Sequence, residues 1–250
     1  MFNEKLAFVT GASSGIGREL AFQLKKEGFH LALFARRLAH LERTQEELSA
    51  LNGLQVGVFQ CDVADKESVH QAFKKASHDL GSPYLLVANA GVGGSSSVKS
   101  FDTEMMSSIF QTNVMGAMYC ISEVLPAMLS NKQGHIVGIS SLAAYKSFPY
   151  THAYSASKSA LSAHLEGLSL ELKPHGVKVS TICPGFIRTQ MTAKNKFSMP
   201  FIMDAEKAAK KIMGAIKKEK KVYNFPWQTY MLIKASNLFP SSFVAKKARD

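Results

Sequence analysis

Tyr154 and Lys158 stand four residues apart in the stretch YSASK, with only serine and alanine between them. On a helix, positions i and i+4 share a face one turn apart, so an ammonium would lie beside a phenol. A nearby positive charge favours the phenolate and draws a tyrosine below its free pKa of about 10. Such a tyrosine can exchange a proton nearer neutral pH. The small intervening residues suit a helix face pressed against a bound molecule. Spacing alone does not decide the matter, because YMLIK, Tyr230 to Lys234, repeats it.

A second chemical stretch is TGASSGIG, Thr10 to Gly17, where Gly11, Gly15 and Gly17 follow the spacing GxxxGxG. It falls between an apolar run, KLAFVTGA, and the helix-periodic GIGRELAFQLKKEG. A tight turn needs residues without Cβ, a diphosphate needs backbone N–H groups close by, and a helix N-terminus adds partial positive charge. The loop therefore predicts a dinucleotide site. At the end of the next strand, where an NAD-binding unit places a carboxylate for the ribose hydroxyls, this chain has Ala35, Arg36 and Arg37. Two guanidiniums pair with a 2′-phosphate and leave bare hydroxyls unserved, so NADP(H) is preferred over NAD(H). Asp62 could accept from an adenine amino group or cap the following helix.

The elements that must position these groups alternate. FHLALFA, LQVGVFQCDV, YLLVANAG, GHIVGISS and VKVSTICPG read as further buried strands, separated by amphipathic stretches. One long helical stretch is expected over about 103–130, another helix from about Asp204, and a last strand at KVYNF. Strands apolar on both faces are parallel strands covered by helices on each side. The fold class is α/β: a three-layer, doubly wound parallel sheet of about seven strands, in one domain over 1–250. After Gly185 the period loosens. The stretch 186–203, with Met191, Phe197, Met199 and Phe201, is either a substrate lid or ordinary loop packing. An extension over about 222–250 mixes aromatics with lysines.

Composition narrows the class further. Hydrophobic residues make up 46% and charged residues 20%, ordinary for a globular chain, and no run is apolar enough to span a membrane. The three cysteines, Cys61, Cys120 and Cys183, form no CxxC pair, and the eight histidines show no ligand spacing. A reduced, cytoplasmic setting and no metal follow. The net charge is +11, but from position 200 onward eleven Lys/Arg face four Asp/Glu, so much of the excess sits in one C-terminal stretch. That is read as a solvated helix face, without a nucleic-acid partner.

In order, TGASSGIG, Asp62, NAG at 89–91, Asn113, ISS at 139–141, YSASK and PGFIRT at 184–189 resemble the short-chain dehydrogenase/reductase family over about residues 5–190. The resemblance implies a Rossmann-type domain and nicotinamide-dependent oxidation or reduction. It makes Tyr154 the proton donor and acceptor. It makes Lys158 the group that lowers the tyrosine pKa and holds the nicotinamide ribose. Ser141, thirteen before Tyr154, binds the substrate oxygen in preference to Ser140. Asn113 positions a water in the proton relay. Cofactor contacts are implied at Gly11, Ser13, Ser14, Gly15, Ile16 and Gly17, at Arg36, Arg37, Asp62 and Val63, and at Asn89, Ala90 and Gly91. Tyr154, Lys158, Pro184, Gly185, Ile187 and Thr189 complete the set.

The expected function is an NADP(H)-dependent oxidoreductase interconverting a carbonyl and an alcohol, on a small or apolar substrate. The alternatives are a non-catalytic, dinucleotide-sensing protein and an epimerase or dehydratase on the same fold. A homodimer or homotetramer is implied by the family. The tail could serve dimerisation or peripheral contact with a membrane. Tyr230 to Lys234 lacks a serine thirteen residues earlier, where Lys217 stands, and reads as tail packing.

Overall fold

The structure, a computed structural model, describes residues 5–194 and 198–237. The chain opens with β1 (Lys5–Thr10), α1 (Gly15–Lys26), β2 (Phe29–Ala35), α2 (Leu38–Ser49), β3 (Val56–Gln60) and α3 (Lys66–Leu80). β4 (Leu85–Ala88), α4 (Thr103–Phe110), α5 (Gly116–Ser130), β5 (Gly134–Ile139), α6 (His152–Leu172) and β6 (Val177–Pro184) follow. The last elements are β7 (Ile187–Arg188), β8 (Met203–Asp204), α7 (Ala205–Lys217), β9 (Val222–Phe225) and α8 (Trp227–Ser236).

Seven strands form one sheet in the order β3-β2-β1-β4-β5-β6-β9, and every pairing is parallel. The order reverses between β1 and β4. In such sheets a crevice opens there at the carboxyl ends of the strands.

Each face of the sheet has its own apolar core. Leu20 and Leu24 of α1, Leu41 and Leu48 of α2, and Ile212 and Ile216 of α7 pack on one side. Val69 and Phe73 of α3, Ile121 and Val124 of α5, and Leu161 and Leu165 of α6 pack on the other. Phe34 and Phe73 stack there with ring centroids 4.4 Å apart.

The expected long helix over 103–130 is broken into α4 and α5 by a single π turn, Gln111–Met115. The stretch after Gly185 holds two short strands, β7 and β8, which pair with each other. No period of 2 or 3.6 marks them, because each is only two residues long. Phe197 lies outside the described residues, as does the extension beyond 237. α8 leaves Trp227, Met231 and Leu232 exposed. Among the described residues no helix is long and apolar enough to cross a membrane, and no cluster of three metal-ligating side chains occurs.

Candidate functional site

The carboxyl end of β1 is stitched to that of β4. Asn89 and Ala90 donate their N–H groups to the Thr10 hydroxyl, each at 3.0 Å. The Asn89 side-chain amide donates to the carbonyls of Thr10 and Gly11, at 2.9 and 3.3 Å. Gly11 and Gly15 take positive φ, 65° and 57°, which L side chains rarely adopt. A Cβ on Gly11 would meet Ala90 Cα at 2.9 Å. The loop is therefore drawn tightly against β4. Ser14, the N-cap of α1, makes no side-chain cap, so the first N–H groups of α1 are left to whatever occupies the cleft. Gly17 does not line the cleft. It lies behind the loop, where a Cβ would collide with the Gly11 carbonyl and the Asn89 amide. Its lack of a Cβ lets α1 close on the turn.

At one end of the cleft stand the two arginines. Arg37 reaches the hydroxyls of Ser13 and Ser14, both at 3.4 Å. Arg36 is 66% exposed and only 4.0 Å from Asp62, a weak and screened pairing. Both guanidiniums thus keep donors for an incoming anion. Asp62 accepts from Ala64 N at 3.0 Å, whereas the cap of α3 is Asp65, which accepts from Glu67 N at 2.9 Å. The capping alternative for Asp62 is thereby removed.

At the other end β5 delivers Ser140 and Ser141, and α6 delivers Tyr154 and Lys158. Ser141 begins a tight 3₁₀ turn, Leu142–Ala144, and its hydroxyl accepts from Ala143 N at 3.1 Å. It approaches the Pro184 carbonyl at 3.5 Å and lies near enough to the Tyr154 hydroxyl to favour the phenolate. Ser140 is buried behind it and committed elsewhere, donating to the Lys158 carbonyl at 3.0 Å and pairing with Ser162 at 2.7 Å. Lys158 is 4% exposed, and its ammonium donates to the Ile139 carbonyl at 2.8 Å. Burial pushes its pKa from 10.5 down to about 8.

Tyr154 departs from the expectation that the lysine would lower its pKa. Burial pushes the phenol up, and the Ser141 hydroxyl only partly opposes this. The ammonium lies 5.9 Å from the ring centroid, and its own charge is weakened by burial. Enough protein surrounds the ring for desolvation to dominate, although the side chain is only half-buried by exposed area.

Asn113 is the residue expected to position a water. Its side chain, on the π turn, does not line the cleft. It accepts from Val92 N at 2.8 Å and donates to Val92 O and Ser157 Oγ, each at 3.0 Å. It is buried, and these bonds clamp the chain after β4.

Between these ends runs a cleft of about 400 Å³. Apart from Gly17 and Asn113, every residue of the expected catalytic and cofactor-binding set lines it. Gly91 sits where a Cβ would approach the Lys158 ammonium at 3.4 Å. Pro184, Gly185, Ile187 and Thr189 form the opposite wall, and Thr189 lies over Gly15. Sequence reasoning did not single out Cys61, Val92, Thr112 and Ile139, which also line the cleft, as do Gln190, Met191 and Thr192 from the stretch expected as a possible lid. Cys61, Val92, Thr112 and Gln190 lie directly beside a predicted residue, and Ile139 stands two before Ser141. Thr192 is fixed by accepting from Thr189 N at 3.0 Å and donating to Ile187 O at 2.6 Å.

The donors at a glycine loop too tight for Cβ atoms, guanidiniums at one end and paired hydroxyls at the other fit a dinucleotide. A parallel sheet with that cleft at its switch point defines a Rossmann-type α/β domain. The chain belongs to the short chain dehydrogenase family, whose sequence profile matches residues 5–199. An uncharacterized oxidoreductase of Myxococcus xanthus is 37% identical over 245 residues, spanning 98% of this chain and 96% of that one. The alcohol dehydrogenase of the archaeon Thermococcus sibiricus, complexed with 5-hydroxy-NADP, is 26% identical with a TM-score of 0.81. The match covers 89% of this chain and 95% of that one. A short chain dehydrogenase/reductase of Burkholderia phymatum, in complex with NAD, is 26% identical with a TM-score of 0.86. There the match covers 93% and 92%.

Proposed function

We propose that the protein interconverts a carbonyl compound and an alcohol with NADP(H) as its preferred nicotinamide cofactor. The convergence of the Ser141 and Tyr154 hydroxyls in one cleft, beside a buried lysine, carries this reading. Reduction of a carbonyl places negative charge on its oxygen, so donors already aimed at that oxygen lower the barrier. Ser141 is held by its turn to donate, and Tyr154 donates and gives up its proton. The bound nicotinamide supplies or accepts the hydride. Lys158, anchored on the Ile139 carbonyl, keeps its remaining N–H donors for the ribose and for the phenolate that Tyr154 leaves. Asn113 serves by holding the Val92 backbone, which keeps Gly91 and its neighbours out of the cofactor's path.

Arg36 and Arg37, with Ser13 and Ser14 beside them, support the 2′-phosphate form. Glycine-loop contacts at Gly11, Gly15 and Ile16 and wall contacts at Val63, Ala90, Pro184, Gly185, Ile187 and Thr189 hold the rest. Exposed Met191 and Phe201 in 186–203 support an apolar substrate of adaptable shape. All three cysteines are buried and unpaired, which supports a reduced, cytoplasmic setting, with a homodimer or homotetramer as the working form.

The test is a panel of aldehydes, ketones, sterols and sugars, followed by NADPH absorbance with NADH in parallel. At least one apolar carbonyl compound is expected to be reduced faster with NADPH. Tight NADPH binding with no turnover of any panel member, in either direction, would point instead to a sensor.

A further inference from the structure

The second tyrosine–lysine pair has its own task. Tyr230 and Lys234 of α8 lie against the segment that leaves Ser141. Ser141 opens the 3₁₀ turn and Tyr145 closes it, donating its N–H to Leu142 O at 3.1 Å. Tyr145 is then held from several directions. Its ring meets that of Tyr230 edge-on at 5.4 Å. The Lys234 ammonium stands 5.8 Å from the Tyr145 ring centroid and 5.7 Å from that of Tyr230, within the range of a cation–π contact. The Tyr145 hydroxyl donates to Asn224 Oδ1 of β9 at 3.0 Å, and its carbonyl accepts from the Asn237 side chain at 3.4 Å. Beneath it, Leu142 packs with Cys183 and with Ile233 of α8. The next residue, Lys146, donates to the Ser236 carbonyl at 3.3 Å, a cation at the carboxyl end of α8 where the helix dipole favours it.

A three-residue 3₁₀ turn has few internal bonds to resist bending. Here its far end is gripped by a helix and a strand that contribute nothing to the lining of the cleft. We propose that α8, through Tyr230 and Lys234 acting on Tyr145, is a brace that sets the direction of the Ser141 hydroxyl. Tyr145, Tyr230 and Lys234 are positioning residues, and the inference rests on Ser141 having the role proposed above. The brace acts on the Ser141 turn, and none of its residues lines the cleft or touches the arginines. Its loss therefore lowers turnover without loosening the dinucleotide.

The experiment compares Tyr230→Ala, Tyr230→Phe, Tyr145→Phe and Lys234→Met with the unaltered protein. Three quantities are measured: kcat, NADPH affinity by fluorescence, and amide hydrogen exchange of residues 142–145. Tyr230→Ala is expected to cut kcat about 10-fold, to leave NADPH affinity within about twofold, and to speed exchange in 142–145 about 10-fold. Tyr230→Phe, which keeps the ring, restores most of the rate. Lys234→Met, an exposed position that should not impair folding, gives the same pattern at about threefold and decides the question if Tyr230→Ala does not fold. Tyr145→Phe tests the Asn224 tether separately and should slow turnover less than Tyr230→Ala. Unchanged kcat and unchanged exchange in Lys234→Met and Tyr230→Ala overturn the brace, as does an equal loss of NADPH affinity. If the unaltered protein reduces no carbonyl compound, the functional reading fails, while the exchange measurement still decides whether α8 stiffens the turn.

Discussion

The molecule carries the same two residues at the same helical spacing twice, and the two copies differ in almost everything else. On α6 the ammonium lies 5.9 Å from the tyrosine ring, and on α8 it lies 5.7 Å. Distance does not separate them. Surroundings do: Lys158 is buried on a backbone carbonyl with its pKa near 8, whereas Lys234 stands in solvent over two ring faces. Tyr154 shares the lining of a cleft with the Ser141 hydroxyl, which favours its phenolate. Tyr230 meets the Tyr145 ring instead. A side-chain pair becomes chemical when desolvation makes its protonation costly and a cleft gives it something to act on.

The largest effect that could break this contrast is Tyr154→Phe. It should lower kcat about 1000-fold with NADPH affinity retained; a variant that keeps full activity would place the two pairs on equal terms. Next, if the cleft that distinguishes α6 holds the dinucleotide as oriented here, Arg37→Ala should weaken NADPH about 10- to 100-fold and NADH hardly at all. Titration calorimetry with both nucleotides checks this, and parallel losses would remove the 2′-phosphate assignment.

The third test sharpens the role of burial. The folded protein gives up the Lys158 proton near pH 8 and the unfolded chain only near 10.5. Between those values the unfolded state binds more protons, so stability rises with pH. Urea unfolding at pH 7.5 and 10 should show a gain of about 2 kcal/mol in the unaltered protein relative to Lys158→Met. The smallest effect belongs to α8, where Tyr230→Phe should leave kcat within about twofold, because the ring and not the hydroxyl makes the contact.

Much of this was legible beforehand for a physical reason. Parallel strands buried on both faces must be apolar along their whole length, so KLAFVTGA, FHLALFA and GHIVGISS declare themselves. The glycine loop was legible because Gly11 and Gly15 take angles that few other residues tolerate. What escaped depends on partners distant in the chain. Nothing in the neighbours of Asn113 foretells that its amide would be consumed by Val92 and Ser157, or that a π turn would interrupt the helix there. The direction of the Tyr154 shift escaped for a similar reason, since desolvation is set by every element around the ring and spacing records only one neighbour. Asp62 and Asp65 are both plausible caps by type, and only the backbone geometry selects Asp65.

β9 is the outermost strand beside β6 and comes later in the chain than every other strand of the sheet. Asn224 on it and α8 directly after it hold the turn at Ser141. A ribosome has therefore already released the glycine loop, Tyr154 and Lys158 before the segment that steadies Ser141 emerges. A chain ending before β9 would keep every residue that lines the cleft and lose the Asn224 and α8 contacts to the turn at Ser141.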